Sequence, residues 1–258
     1  MLLIRKEQMK VFEQKALQNF EDEMVEHLEI FSPPLFKAVG EEQMRKVISF
    51  GIAQANSYGF TFRGPVRLYL EMMLVFGSYF DTDPQYPWAT EILANQGAGP
   101  QMDRAEMLFE KMMDYRKKVA GPKDAYMLKA LRNTSDLAMQ PLSLSTENFI
   151  STMRQEIARV YPQKAAYVGD ERLEALIREG IEKAQSQRFS TVRGTTLLIV
   201  LMLAFGHGCE DDLLYPWIAR TLNDKPIPDP ESKSKRLERK SLTWLEHAMV
   251  HLDRGAQT

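Results

Sequence analysis

The chain is poor in the residues on which much protein chemistry depends. It holds a single cysteine, Cys209, so no internal disulfide can form and clusters of thiolate metal ligands are excluded. It has only four histidines, and neither sign of charge is in excess, with 33 Lys and Arg against 35 Asp and Glu. Residues 1–129 carry 16 basic and 18 acidic side chains, and residues 130–258 carry 17 of each. A nucleic-acid binder normally carries a basic stripe, so nucleic acid is not an expected partner. The most apolar segment, Leu197–Phe205, is about half of what spans a bilayer, so membrane insertion is not expected either. The apolar run at Leu2–Ile4 is too short for a secretory signal, and Arg5 and Lys6 follow at once, so the expected location is cytoplasmic. No P-loop, G-x-S-x-G elbow or dinucleotide fingerprint is present. The expectation is a non-enzymatic protein without a cofactor or bound metal.

What is abundant is helical periodicity. From Leu3 to Phe31 the residues Met9, Phe12, Ala16, Phe20, Met24, Leu28 and Phe31 recur at three- and four-residue steps, which predicts one amphipathic helix stopped by Pro33-Pro34. Further helices are expected after Gly40, from about Gly64 to Phe76, from Pro87, from Gln101 to Val119 and over Ala125–Leu131. The pattern restarts with Ser145 as a candidate N-cap, and the last helix is expected over about Ser232–Leu252.

The second abundant feature is repetition. Residues 19–93 align without a gap on residues 148–222, and 23 of the 75 positions are identical. Composition alone would give about five. The identities include Gly40/Gly169, Gly51/Gly180, Phe76/Phe205, Gly77/Gly206 and Asp83/Asp212. They end in two Tyr-Pro-Trp triplets, Tyr86-Pro87-Trp88 and Tyr215-Pro216-Trp217. The expected fold class is all-α: two tandem helical repeats, residues 1–129 and 130–258, of about five helices each, packed as one pseudo-symmetric body. Glycine inside a helix costs about 1 kcal/mol, so Gly51 and Gly180 ask for the close approach of another helix. The Thr195–Phe205 helix is apolar nearly all round and is expected to be buried on every side, whereas its counterpart keeps Arg67 and Glu71.

Several constellations could carry chemistry. Carboxylates in the two acidic turns, at Asp81 and Asp83 and at Glu210, Asp211 and Asp212, could ligate a hard cation, although no calcium loop is completed. The structural alternative is that Asp83 and Asp212 cap the short helices opening at Pro87 and Pro216. Tyr86, Trp88, Tyr215 and Trp217 could anchor a partner, or pin each short helix to the core. His247 and His251 have a zinc-compatible spacing but no evident third ligand. His207 beside Cys209 has no orienting third group. The basic run Lys233, Lys235, Arg236, Arg239 and Lys240 is interrupted by Glu238 and reads as a solvated helix face.

The opening Leu3-Ile4-Arg5-Lys6-Glu7-Gln8-Met9 with Phe20-Glu21 and His27-Leu28, then Gly51-Ile52 with Ala55 and Tyr58-Gly59, then Phe76-Gly77 with Phe80-Asp81-Thr82-Asp83-Pro84 and Pro87-Trp88-Ala89, together resemble a family of uncharacterised bacterial helical proteins. Members of that family are often encoded beside type VI secretion spike and effector genes. The resemblance covers about the first 120 residues and carries over no catalytic residue. It implies another protein as partner, a secreted effector or a spike component, with this chain as chaperone or adaptor. An immunity protein neutralising a cognate toxin is the alternative, and a metal-dependent enzyme using the acidic turns is a third. A second copy of the chain is the remaining candidate partner.

Overall fold

The computed structural model describes residues 6–95, 97, 99–140, 144, 146–189, 191–223 and 229–255, and among them there is no strand. The expected helix start at Leu3, the Ser145 N-cap and the side chain of His251 lie outside the described residues. In chain order the helices are α1 (Lys6–Phe31), α2 (Pro33–Val39), α3 (Glu41–Ser57), α4 (Arg63–Phe76), α5 (Pro87–Ala94), α6 (Gln101–Tyr115) and α7 (Ala125–Ala138). They continue as α8 (Phe149–Val160), α9 (Pro162–Val168), α10 (Asp170–Ser186), α11 (Val192–Phe205), α12 (Pro216–Leu222) and α13 (Pro230–Gly255). The bounds of α9, α10 and α11 are those of α2, α3 and α4 displaced by 129 positions.

Proline does more than the periodicity implies. Pro33 ends α1 and opens α2, and Pro162 ends α8 and opens α9. A first-turn position needs no amide donor, so the residue that stops one helix can begin the next. Each half of the chain therefore has a short helix beyond the five expected. The segment expected to continue α6 to Val119 instead winds into a π turn over Arg116–Ala120, ended by Gly121.

One continuous core runs from Phe20, Met24 and Leu28 of α1 through α3, α4, α10 and α11 to Leu237 of α13. The close approach that the helix-interior glycines require is there. A Cβ on Gly51 would collide with Leu70 and stand 2.6 Å from Met73 Sδ, and one on Gly180 would stand 2.5 Å from Ile199 Cγ1. Thus α4 lies against α3, and α11 against α10, at the same glycine.

Two burial expectations are corrected. Met9, Phe12, Ala16 and Phe31 are exposed, so only Phe20, Met24 and Leu28 of the expected α1 stripe are in the core. In α11, Leu197 and Val200 are half-buried and Ala204 is exposed, because that face borders a cavity rather than another helix. No helix among the described residues is long and apolar enough to cross a membrane.

Candidate functional site

The two Phe-Gly…Asp…Tyr-Pro-Trp stretches meet in space. After α4, Gly77 takes φ 97° and ψ 156°, and after α11, Gly206 takes φ 95° and ψ 157°. Only glycine adopts this region readily. The two turns lie back to back: a Cβ on Gly77 would collide with the backbone carbonyl of Phe205, and one on Gly206 would stand 2.8 Å from the carbonyl of Phe76.

Each turn is then held by the aspartate of the other. The backbone N–H of Ser78 donates to Asp212 Oδ2 at 2.8 Å, and the Ser78 hydroxyl donates to Oδ1 at 2.5 Å. Reciprocally, the backbone N–H of His207 donates to Asp83 Oδ2 at 2.7 Å. Each carboxylate also closes its own turn, accepting from Gln85 N and Leu214 N, both at 2.8 Å. Burial pushes both carboxyls above the usual range, and the surrounding donors pull them back. This corrects the capping expectation, since the residues before α5 and α12 are Tyr86 and Tyr215 and neither helix has a side-chain cap. The aspartates link the two turns instead.

The aromatic triplets flank this junction. Tyr86, Trp88 and Tyr215 are buried and Trp217 is half-buried, with Pro87 and Pro216 opening α5 and α12. Phe76 stacks on Tyr86 and Trp88, and Phe205 on Tyr215 and Trp217. In this arrangement the triplets pack into the core on either side of the junction.

The other candidates are dispersed. Among the described residues, no three His, Cys, Asp or Glu side chains come together as a metal site. Asp83 and Asp212 already face amide donors, Asp81 accepts from the Tyr58 hydroxyl at 2.8 Å, and Asp211 is exposed. His207 has both ring nitrogens occupied, Nδ1 by Glu179 and Nε2 by Thr82, each at 3.0 Å. Burial raises the Cys209 thiol, the opposite of what a nucleophile needs. His247 is exposed. Within the basic run, Lys235 pairs with Glu231 at 2.8 Å, while Lys240 reaches α12 and donates to Thr221 at 2.9 Å, so the run is only partly a solvated face.

Two unexpected features remain. One is a cavity of about 560 Å³ bounded chiefly by α7, α8, α11 and α13. Leu131, Ile157, Leu197, Val200 and Leu245 give it apolar walls, and Lys164, Tyr86 and Tyr115 also line it. Lys164 is 4% exposed. Its ammonium donates to the carbonyl of Leu203, left open at the C-terminal end of α11, and to the Tyr86 hydroxyl at 3.3 Å. Desolvation lowers it from 10.5 to about 8, with partial compensation from the charge of Asp83. A signal was visible in the alignment: Lys164 stands where the first half has the apolar Leu35.

The second feature is the beginning of α1. Residues 11–19 are exposed on all sides, with Phe12 and Val11 each 62% exposed. Contacts with the body begin at Phe20, Glu21 and Asp22, the last pairing with Arg45 at 2.7 Å. At 1.5 Å per residue, residues 6–19 form an arm roughly 20 Å long. No protein-family model, curated protein or solved structure matches the chain.

Proposed function

We propose that the chain is a non-enzymatic binding protein that docks another protein along the apolar stripe of the α1 arm. The carrying observation is that Met9, Phe12 and Ala16 continue the same stripe as the buried Phe20, Met24 and Leu28, yet are exposed. The arm extends the packed part of the 26-residue α1, and an apolar stripe held out on a preformed helix is a surface for a partner to complete. In this reading the rest of the chain is a tandem duplication, residues 1–129 and 130–258, folded as one pseudo-symmetric body that carries the arm. The 129-residue displacement of three helices and the exchanged aspartate contacts support it. The resemblance to proteins encoded beside type VI secretion genes makes the partner a secreted effector or spike component, and the chain a cytoplasmic chaperone or adaptor.

The test is copurification from the native host with the intact chain and with a Met9→Asp/Phe12→Asp variant. Both positions are already solvent-exposed, so the variant should fold normally. One effector or spike component should accompany the intact chain in stoichiometric amount and be lost from the variant. Equal recovery with both chains, or no partner with either, would refute the proposal.

A further inference from the structure

Lys164 is hard to explain as packing alone. A lysine ammonium has three donors, and two are taken by the Leu203 carbonyl and the Tyr86 hydroxyl. Among the described residues no carboxylate lies within ion-pair distance of it. A buried cation without a close counter-charge costs free energy that an apolar side chain at the same position, such as the matching Leu35, would not. The cost is incurred beside a cavity whose volume is in the range of small-molecule sites and whose walls are largely apolar. The other charged side chains of the lining are paired, Arg193 with Glu238, Arg116 with Asp124 at 3.9 Å and Glu156 with Arg159 at 2.8 Å. Lys164 is therefore the lining cation that an incoming anion can meet, and the largely apolar walls around it select for a molecule that is apolar over most of its length and carries one negative group.

We propose that this cavity binds an apolar carboxylate, its hydrocarbon along Leu131, Leu197, Val200 and Leu245 and its carboxylate on the free donor of Lys164. The ligand supplies a counter-charge in direct contact, where the protein supplies only the longer-range charge of Asp83, and its hydrocarbon lies along the α11 face that borders the cavity. Met9 and residues 11–19 are not among the lining residues, so this site is separate from the docking stripe of α1.

Dodecanoate is a suitable probe, with methyl dodecanoate as a neutral molecule of nearly the same shape. Titration of the full chain, followed by calorimetry and by intrinsic tryptophan fluorescence, to which Trp244 of the cavity wall contributes, should show saturable 1:1 binding of dodecanoate. The ester should bind at least tenfold more weakly, the loss expected for one charge-assisted hydrogen bond. Lys164→Met should bring the acid down to the affinity of the ester. Val200→Trp, which intrudes on the hydrocarbon path and keeps the lysine, should weaken binding of both. If Lys164→Met does not fold, the comparison of acid with ester on the unmodified chain still decides. Equal affinity for acid and ester, binding unaffected by Val200→Trp, or no binding of the acid would overturn the proposal.

Discussion

Replacing glycine by alanine after four helices measures how tightly the two halves of the chain are locked. Gly40 and Gly169 have φ 83°, and Gly77 and Gly206 have φ 97° and 95°, all with ψ between 152° and 158°. The conformational penalty of alanine is therefore nearly the same at all four, about 1–3 kcal/mol. The surroundings differ. A Cβ on Gly40 or Gly169 meets nothing within 4 Å, whereas on Gly206 it stands 2.8 Å from Phe76 O, and on Gly77 it collides with Phe205 O. Neither obstacle is the end of a flexible side chain; each is the backbone of the opposite turn. Relief requires the turns to part, which stretches the Ser78–Asp212 and His207–Asp83 hydrogen bonds, each worth about 1.5–3 kcal/mol as bonds to a charged group. Urea denaturation should thus rank the variants with Gly40→Ala and Gly169→Ala mildest, Gly206→Ala intermediate, and Gly77→Ala worst by at least about 3 kcal/mol over Gly40→Ala. Equal destabilisation at Gly40 and Gly77 would refute the account of the junction.

Other predictions concern single buried groups. Asp212→Asn places an amide donor against three existing donors and should cost about 2–4 kcal/mol in chemical denaturation, while Asp211→Asn on the exposed neighbour should stay within about 0.5 kcal/mol. Lys164 is lowered from 10.5 to about 8 in the folded chain, so between those values the unfolded chain binds more protons and stability rises with pH. Relative to Lys164→Met, the unmodified chain should gain up to about 3 kcal/mol across that window, read from paired denaturation curves; a flat difference would contradict a desolvated lysine. Gly180→Ala should cost about 1–2 kcal/mol, because the clash with Ile199 outweighs the gain in helix propensity, and thermal melting will show the sign.

Much of the helical architecture was legible because apolar spacing, glycine and proline all act locally. Gly51 and Gly180 announced a helix-to-helix contact before any partner helix was known. The short helices α2 and α9 were not legible, since Pro33 and Pro162 read first as stop signals and their second role depends on where the chain turns next. The aspartates show the limit of local reasoning. Asp83 and Asp212 precede a Tyr-Pro helix start, so capping is the economical expectation, but their partners lie 124 and 134 residues away in sequence. A periodic stripe likewise reports which face of α1 is apolar without reporting where the body ends, so Met9 and Phe12 looked no different from Met24 and Leu28. The cavity left one trace, a lysine in an otherwise apolar register at position 164, and its meaning depended on α7 and α13 leaving space around α11.

The central functional claim is that the free stripe of α1 is a protein-docking surface. A photo-crosslinking amino acid at position 12, introduced in the native host, tests it most directly. The account predicts one irradiation-dependent adduct containing a secreted effector or spike component, absent when the same group is placed at the exposed position 211. An adduct only with a second copy of the chain, or the same adducts from both positions, would contradict it.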